Sequence, residues 1–358
     1  MRTFNGGEFI VMGVPGTSLD KATRAIVKAT QPAGFILFAR NMKEPAQLRN
    51  LTDELRSIVD HEPIICIDQE GGRVSRLKEF MNEPPSARQL AERGKRELIN
   101  QHGLLTGKLL RLFGFNLNLA PVLDILVDER NDNSLKGRTY GRTADEVVDN
   151  ARAFADGMRI SQVLSCGKHF PGYSAAAVDP HHALPSVSRT REEMTAREWQ
   201  PFVKMAAEVD LMMVGHVEYP MIDSSRLPAS LSPVMVQDIL RKEFKFKGCT
   251  ITDDMDMGAI KEYFGSAEAA ALALKAGNDL MLVCHNIEGV PEIARTLSGV
   301  NDEIKQEAYE RIESLRSRLV APTPFAMDVF NALNEEVHQL ARDTVNDTAN
   351  QGAVHDKA

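Results

Sequence analysis

A short stretch near the middle of the chain combines a cation, an imidazole and a turn. Lys168 and His169 end an apolar run, and Pro171-Gly172 follow closely. This pattern predicts a strand that delivers two polar side chains to its carboxyl end and then opens into a long loop. In parallel α/β proteins, that end of a strand is where ligands bind.

The loop after this strand carries an acid and an imidazole at close spacing. Asp179 and His181 are separated by Pro180, which stiffens the backbone between them. The carboxylate can therefore hold one imidazole nitrogen and leave the other free, as in a positioned acid or base. His182 could be the working imidazole instead, but the alternation of side chains turns it away, so we favour His181.

Several other apolar runs also finish in polar residues. One of them ends at Asp68, and Ile251-Thr252 leads into Asp253-Asp254. Two adjacent acids after a strand carry a desolvation cost that structure alone rarely explains, so we interpret them as functional. Because strand ends of a barrel converge on one rim, these residues predict a charged pocket suited to a polyhydroxylated ligand such as a sugar.

Three other strand-end residues receive a structural interpretation. A lone aspartate such as Asp124 is more often a helix cap or a turn residue than a catalyst. His216 and His285 also follow apolar runs, and we interpret both as hydrogen-bonded core histidines. These three side chains are therefore left out of the predicted site.

Eight short apolar runs alternate with segments of helical periodicity over most of the chain. This alternation predicts an α/β protein with a single-domain (β/α)8 TIM barrel, and a doubly wound sheet is the main alternative. The runs span residues 9–14, 34–38, 63–68, 116–125, 163–169, 211–216, 249–254 and 279–284. The helical segments predicted between them include residues 89–113 and 192–208.

Two longer helical stretches follow the last of these units, and Ala321-Pro322-Thr323-Pro324 separates them. We predict a barrel domain over residues 1–320 and a C-terminal helical extension over residues 321–345. Residues 346–358 have no apolar periodicity and are predicted to form a disordered tail.

The composition places limits on partners and on the compartment. Hydrophobic content of 43% and charged content of 26% are those of a soluble globular protein. A net charge of −8 leaves no excess of cations for nucleic acid or an anionic membrane surface. We identify no signal peptide or membrane span. Four widely spaced cysteines are typical of buried thiols in a reducing compartment, so we expect a cytoplasmic protein and leave its oligomeric state open.

Five motifs occur in order along the chain: IDQEGGRVSR at 67–76, NLNLAPVLD at 116–124, KHFPG at 168–172, DPH at 179–181 and TDDM at 252–255. Their order resembles glycoside hydrolase family 3, and more narrowly its β-N-acetylhexosaminidase branch. The resemblance implies a single-domain TIM barrel without metal or cofactor. It also implies a retaining, two-step mechanism through a covalent glycosyl-enzyme.

The resemblance further implies a role for each matched residue. Asp253 stands at the position of the nucleophile, and His181, oriented by Asp179, would act as acid and then as base. An imidazole with an ordinary pKa of about 6.5 can supply a proton at neutral pH without the burial that a glutamic acid needs. The groups that would hold the hydroxyls of the terminal sugar are Asp68, Arg76, Arg138, Lys168 and His169.

Two positions depart from the family pattern. Members of the family usually continue Phe-Pro-Gly with His-Gly, whereas Tyr173-Ser174 stand here. The serine that usually lies between the acid and the imidazole is Pro180. Neither change removes a catalytic group, but we expect the first to alter the flexibility of the loop.

These observations together predict an exo-acting β-N-acetylglucosaminidase. It would remove terminal N-acetylglucosamine (GlcNAc) from small glycosides of the muropeptide or chito-oligosaccharide type, with peptidoglycan recycling as its setting. One alternative is a phosphorylase, because phosphate would meet less repulsion where a second carboxylate is missing. A second is a metal-dependent hydrolase using His169, Asp179, His181 and His182, although their spacing is not that of a known ligand set. A third is a non-catalytic sugar-binding protein of the same fold.

Overall fold

Eight parallel strands close into a barrel in the computed structural model of the protein, which describes residues 3–127, 134–176 and 184–345. The barrel strands are β1 (Ile10–Gly13), β2 (Gly34–Leu37), β3 (Ile64–Ile67), β6 (Leu117–Asn118), β7 (Leu164–Phe170), β8 (Leu211–Val214), β9 (Cys249–Asp254) and β10 (Leu280–Val283). Their order around the barrel is β1-β10-β9-β8-β7-β6-β3-β2, and β4 and β5 form a separate hairpin.

Each barrel strand falls on one of the eight apolar runs, and only β7 continues past its run, by one residue, to Phe170. The predicted TIM barrel is therefore confirmed, and the doubly wound alternative is excluded. Strands such as β1, β2 and β3 are buried along their full length. A parallel strand is covered by the barrel interior on one side and by helices on the other, so it needs apolar residues at every position. The closed order leaves no exposed edge.

The helices surround the barrel and mostly begin where the sequence predicts. Residues 89–113 form two helices rather than one, because Gly94 ends the first in a left-handed conformation with φ 69°. The predicted helix over residues 192–208 is also divided. The bounds are α1 (Lys21–Thr30), α2 (Pro45–Ile58), α3 (Ala87–Arg93), α4 (Arg96–Leu112), α5 (Ala144–Ile160), α6 (Arg191–Ala196), α7 (Gln200–Met205), a π-helix (Val234–Glu243), α8 (Gly258–Lys261), α9 (Ser266–Ala276), α10 (Val290–Ser298), α11 (Asp302–Arg316) and α12 (Met327–Val345).

A small antiparallel hairpin follows β3 and was not predicted. Its strands are β4 (Gln69–Gly71) and β5 (Val74–Ser75). Gly71 and Gly72 turn the chain with φ of 102° and 54°, a region that glycine enters without steric cost. The hairpin holds Glu70 against the barrel mouth, where it becomes part of the site described below.

Helix α11 is fastened to the barrel by a buried carboxylate. Asp279, at the start of β10, accepts hydrogen bonds from Arg311 Nε at 2.8 Å and from Arg241 Nη2 at 2.7 Å. Its side chain is fully buried. Helix α12 packs separately, and Phe330 meets Phe113 with ring centroids 5.6 Å apart.

The four cysteines are free thiols, and all of them are buried. Burial raises the pKa of Cys66, Cys249 and Cys284 well above the ordinary thiol value. Across the described ranges, none of the helices has both the length and the apolar character needed to cross a bilayer. The predicted tail, residues 346–358, lies outside the described residues.

His102 on α4 is a buried imidazole, and neither of its ring nitrogens has a hydrogen-bond partner among the residues that the structure describes. It packs on Phe154, with ring centroids 5.2 Å apart. Burial lowers its pKa to about 4. In the unfolded chain a histidine titrates near 6.5, so below that pH the unfolded state binds a proton that the folded state does not.

We therefore expect the free energy of unfolding to fall as the pH decreases from about 6.5 to about 4. The contribution of His102 should be of the order of 3 kcal/mol. In His102→Leu this part of the pH dependence should disappear, as measured by urea unfolding at pH 7 and pH 4. The control His338→Leu, which changes an exposed residue on α12, should keep the wild-type slope, and an unchanged slope in His102→Leu would contradict the assignment.

Candidate active site

A cavity of about 520 Å³ opens at the carboxyl ends of the barrel strands. Its size is that of a small-molecule site. Six of the predicted residues line it together: Asp68, Arg76, Arg138, Lys168, His169 and Asp253. The two others, Asp179 and His181, lie outside the described residues. The cavity thus gathers six predicted side chains that are up to 185 positions apart in the chain.

Lys168 is the central cation of the cavity. Its Nζ lies 2.6 Å from Asp68 Oδ1 and 2.7 Å from Glu70 Oε1, and its side chain is almost fully buried. Burial lowers the pKa of Lys168, but the two carboxylates outweigh this effect and hold it above the usual value. The ammonium is therefore charged and fixed in place, with its donors at the cavity wall.

Glu70 joins Lys168 to Arg138. It accepts two hydrogen bonds from the guanidinium, from Nε at 2.8 Å and from Nη2 at 2.7 Å. Burial raises the pKa of Glu70, but the two cations more than compensate and hold it well below its usual range. Such a bidentate pair fixes the guanidinium plane.

Asp68 lies between two cations at the edge of this network. Besides Lys168, Arg76 Nη2 approaches Asp68 Oδ2 at 3.5 Å. Burial raises the pKa of Asp68, and the two cations bring it below the usual value. A carboxylate with an ammonium and a guanidinium beside it can accept hydrogen bonds from sugar hydroxyls, while the cations donate to the same hydroxyls.

His169 is held by Asp124 from the side away from the cavity. Asp124 Oδ2 accepts from the His169 ring Nδ1 at 2.8 Å and from the His169 backbone N–H at 3.0 Å. With Nδ1 as the donor, Nε2 accepts from Arg138 Nη2 at 3.3 Å. Asp124 was interpreted from the sequence as a helix cap or a turn residue. In the structure its carboxylate instead orients a site residue, His169.

Tyr173, at the first departure from the family pattern, is buried and connects two loops. Its backbone N–H donates to Asp124 Oδ1 at 2.9 Å, and its hydroxyl lies 2.7 Å from Ser134 Oγ. The carbonyl of Ser134 in turn accepts from Arg138 Nη1 at 3.0 Å and from Arg73. The tyrosine thus ties the start of the loop after β7 to the segment that holds Arg138.

Asp253 and Asp254 end β9 at the cavity. The backbone N–H of Asp254 donates to Asp253 Oδ1 at 2.9 Å, so the peptide bond between them helps to orient the first carboxylate. Asp254 itself accepts from the backbone N–H groups of Asp256 at 2.9 Å and Cys284 at 3.2 Å. Burial nevertheless raises the pKa of Asp254 to about 6.

The two histidines left out of the predicted site differ in burial: His216 lies in the core and His285 is exposed in the cavity. His216 is fully buried and lies 2.7 Å from Ser230 Oγ and 3.0 Å from the carbonyl of Asp254, which confirms the structural interpretation. His285 was wrongly interpreted as a core residue. Its side chain is 56% exposed and lines the cavity. It lies two residues after the end of β10, and the strand-end argument used for Asp68 would have found it.

The chain matches the family model described as the glycosyl hydrolase family 3 N-terminal domain over residues 6–315. This protein belongs to glycoside hydrolase family 3. The match covers the whole barrel and ends within α11, and the five sequence motifs fall inside it.

Named relatives within family 3 are similar over most of the chain. A β-hexosaminidase of Pseudomonas aeruginosa is 34% identical over 278 residues, which are 77% of this chain and 82% of that protein. NagZ from Neisseria gonorrhoeae superposes with a TM-score of 0.80 at 28% identity, covering 93% of this chain and 97% of that one. A fungal multidomain family 3 β-N-acetylglucosaminidase gives a TM-score of 0.89 at 27% identity. The match covers 95% of this chain but only 42% of the fungal protein.

The alternatives receive no support from these family 3 relatives, none of which is named as a phosphorylase or a non-catalytic protein. Within residues 3–127, 134–176 and 184–345, no group of three or more His, Cys, Asp or Glu side chains could hold a metal ion. Of the four residues proposed for a metal site, only His169 lies in these ranges, and it is engaged with Asp124.

Proposed function

We propose that this protein is an exo-acting, retaining β-N-acetylglucosaminidase that hydrolyses the bond to a terminal GlcNAc residue. The observation that carries the proposal is the position of Asp253. It lines the same cavity as the interlocked charges of Asp68, Lys168 and Arg138. The β-hexosaminidase and NagZ relatives support the same activity.

The network around Lys168 would bind the non-reducing sugar. Carboxylate acceptors and cationic donors alternate along this wall, and each is fixed by a neighbour within 3.5 Å. Sugar hydroxyls both donate and accept, so they can enter such a wall without leaving a charge unpaired. Since these groups are already in place before binding, little of the binding energy is spent on ordering them.

In the first step, the Asp253 carboxylate would attack the anomeric carbon. The bond from that carbon to the aglycone oxygen breaks as the bond to Asp253 forms, and His181 gives its proton to the departing oxygen. The products of this step are a glycosyl ester of Asp253 and a neutral alcohol. Asp179 would orient the imidazole through its second ring nitrogen.

In the second step, the neutral His181 would take a proton from water. The water oxygen attacks the anomeric carbon and releases Asp253 as a carboxylate. Two inversions leave the sugar with its original β configuration. The imidazole returns to its protonated form, so the cycle needs no other reactant.

The experiment that tests the function follows cleavage of an aryl β-GlcNAc glycoside, an aryl β-glucoside and diacetylchitobiose by proton NMR. We expect β-GlcNAc as the first product from the two GlcNAc substrates and little turnover of the glucoside. Adding phosphate should yield no sugar 1-phosphate. Absence of turnover on all GlcNAc substrates, or initial release of the α anomer, would refute the proposal.

A further prediction concerns His181→Ala. Its loss of kcat should be large for diacetylchitobiose, whose departing alcohol needs a proton, and small for a dinitrophenyl glycoside, which leaves without one. We expect the two losses to differ by about 100-fold or more. Equal losses on both substrates would contradict the role of His181 as the acid.

We also propose that the protein acts in the cytoplasm, on muropeptide-type or chito-oligosaccharide glycosides. The four buried, free cysteines support a reducing compartment. The likeness to NagZ and to bacterial β-hexosaminidases supports a small GlcNAc-terminated substrate.

A further inference from the structure

Tyr173 is a residue at which this chain departs from the family pattern, and the mechanism above gives it no role. Its side chain is only 3% exposed, yet it lines the cavity. Its ring meets the imidazole of His169 edge-on, with centroids 5.0 Å apart and planes at 64°. A buried tyrosine hydroxyl needs a hydrogen-bond partner, so the partner that it contacts indicates what the residue does.

Tyr173 completes a closed ring of hydrogen bonds at one side of the cavity. The two oxygens of Asp124 accept from His169 Nδ1 at 2.8 Å and from the Tyr173 backbone N–H at 2.9 Å. Arg138 Nη2 lies 3.3 Å from His169 Nε2, and Arg138 Nη1 donates to the carbonyl of Ser134 at 3.0 Å. The hydroxyls of Ser134 and Tyr173, 2.7 Å apart, form the last link. We call these five residues the hydrogen-bond ring.

The hydrogen-bond ring is shielded from water, because each of its five side chains is at most 8% exposed. A buried polar group that loses its partner cannot replace it with solvent, so each link constrains the next. Two members of the ring, Arg138 and His169, are residues that would hold the hydroxyls of the terminal sugar. The geometry of the ring therefore sets the position of two sugar-binding groups.

Ser134 is the point at which Tyr173 reaches Arg138. The Ser134 carbonyl accepts from Arg138 four residues later in the chain, and Tyr173 is the partner of the Ser134 hydroxyl among the residues that the structure describes. Arg138 is also held by Glu70 from its other side. Loss of the Tyr173 hydroxyl should therefore shift the guanidinium by a small amount rather than release it.

Tyr173 is not suited to exchange protons in the reaction. Burial raises the pKa of its hydroxyl above the ordinary tyrosine value, although the nearby charge of Arg138 opposes this shift. The phenol therefore stays protonated at neutral pH, and its oxygen is engaged with Ser134. A role in positioning is what this geometry leaves.

We propose that Tyr173 is a positioning residue for the terminal sugar, which acts by holding Arg138 through the hydroxyl of Ser134. This inference rests on the proposed function. It assigns the departure at Tyr173 to the sugar-binding wall and not to the acid His181, which lies eight residues further along the chain.

The test uses Tyr173→Phe, which keeps the ring beside His169 and removes only the hydroxyl. We expect KM for GlcNAc substrates to rise about fivefold, with kcat changed by less than about twofold, because the loss concerns binding. The inhibition constant of free GlcNAc should rise by the same factor. The loss of kcat/KM should also be the same for a dinitrophenyl glycoside and for diacetylchitobiose, since both present the same terminal sugar.

Ser134→Ala removes the other half of the link and tests the same contact without changing Tyr173. It should raise KM by the same factor, and the double variant should show no further rise, because the link is already broken. If Tyr173→Phe fails to fold, Ser134→Ala still decides the matter. The control Tyr309→Phe removes a hydroxyl from α11, where the ring packs on Phe4 with centroids 5.5 Å apart, and should keep the wild-type KM.

Three results would overturn the inference and leave the proposed function intact. The first is a larger loss on diacetylchitobiose than on the dinitrophenyl glycoside, which would show that Tyr173 acts on His181. The second is an unchanged KM with a lower temperature of thermal unfolding, which would show a structural role alone. The third is an additive effect of Tyr173→Phe and Ser134→Ala. If the wild type cleaves neither substrate, the proposed function fails, and this inference fails with it.

Discussion

Replacing Asp253 with alanine is expected to lower kcat/KM for an aryl β-GlcNAc glycoside by about 10⁴-fold or more. The carboxylate would form the covalent bond in the first step, and the neighbouring carboxylate of Asp254 is held by the backbone N–H groups of Asp256 and Cys284. The fold should survive, because Asp253 is only partly buried. Initial rates and thermal unfolding of wild type and variant give the comparison.

Azide provides a sharper readout for the same variant. The small anion can enter the space left by the carboxylate and attack the anomeric carbon as the aryl oxide departs. A single inversion then gives an α-glycosyl azide, which proton NMR distinguishes from the β anomer. The control Asp238→Ala removes a half-exposed carboxylate of the π-helix and should keep wild-type rates. Full GlcNAc activity in Asp253→Ala would exclude Asp253 as the nucleophile.

Glu70→Gln should produce the largest loss of stability among single changes in the cavity. The substitution keeps the shape of the side chain but removes the charge that neutralises Arg138 and Lys168, both buried. Breaking a buried ion pair from one side costs about 3–5 kcal/mol, because the remaining charge stays unpaired. We expect a loss of that order in the free energy of unfolding from denaturant titration, together with a raised KM for GlcNAc substrates.

An exposed pair supplies the comparison for Glu70→Gln. Glu335 lies 3.3 Å from Arg342 on α12 and is 67% exposed. Solvent and salt screen such a pair, so Glu335→Gln should change the free energy of unfolding by less than about 0.5 kcal/mol. If the two variants were equally stable, the buried network would contribute nothing to the fold, and its geometry would have to serve binding alone.

The strands could be predicted because the barrel buries them on both sides. A segment such as β3, Ile64–Ile67, is apolar at every position and ends in a charged residue at the rim. The hairpin of β4 and β5 gave no such signal, since it is short and mostly polar. Residues 89–113 form two helices because Gly94 ends the first of them. Since a glycine can also occur inside a helix, the sequence alone did not predict this break.

The site was predictable only where a residue follows a strand or matches a motif. Asp68, Lys168 and Asp253 were found in that way. Glu70 was not selected, because its importance lies in its bond to Arg138, which is 68 positions away in the chain. The same holds for Asp124, whose partner His169 is 45 positions away. Contacts of this range follow from barrel closure and cannot be inferred from local sequence.

The ion pair between Asp279 and Arg311 determines how much of the chain a gene fusion must include to keep this barrel stable. A gene fusion that cut the chain after the last strand would remove one of the two arginines that pair with the fully buried Asp279. A transferable module should therefore extend through Arg311, 13 residues beyond the end of α10, to keep both partners of this carboxylate.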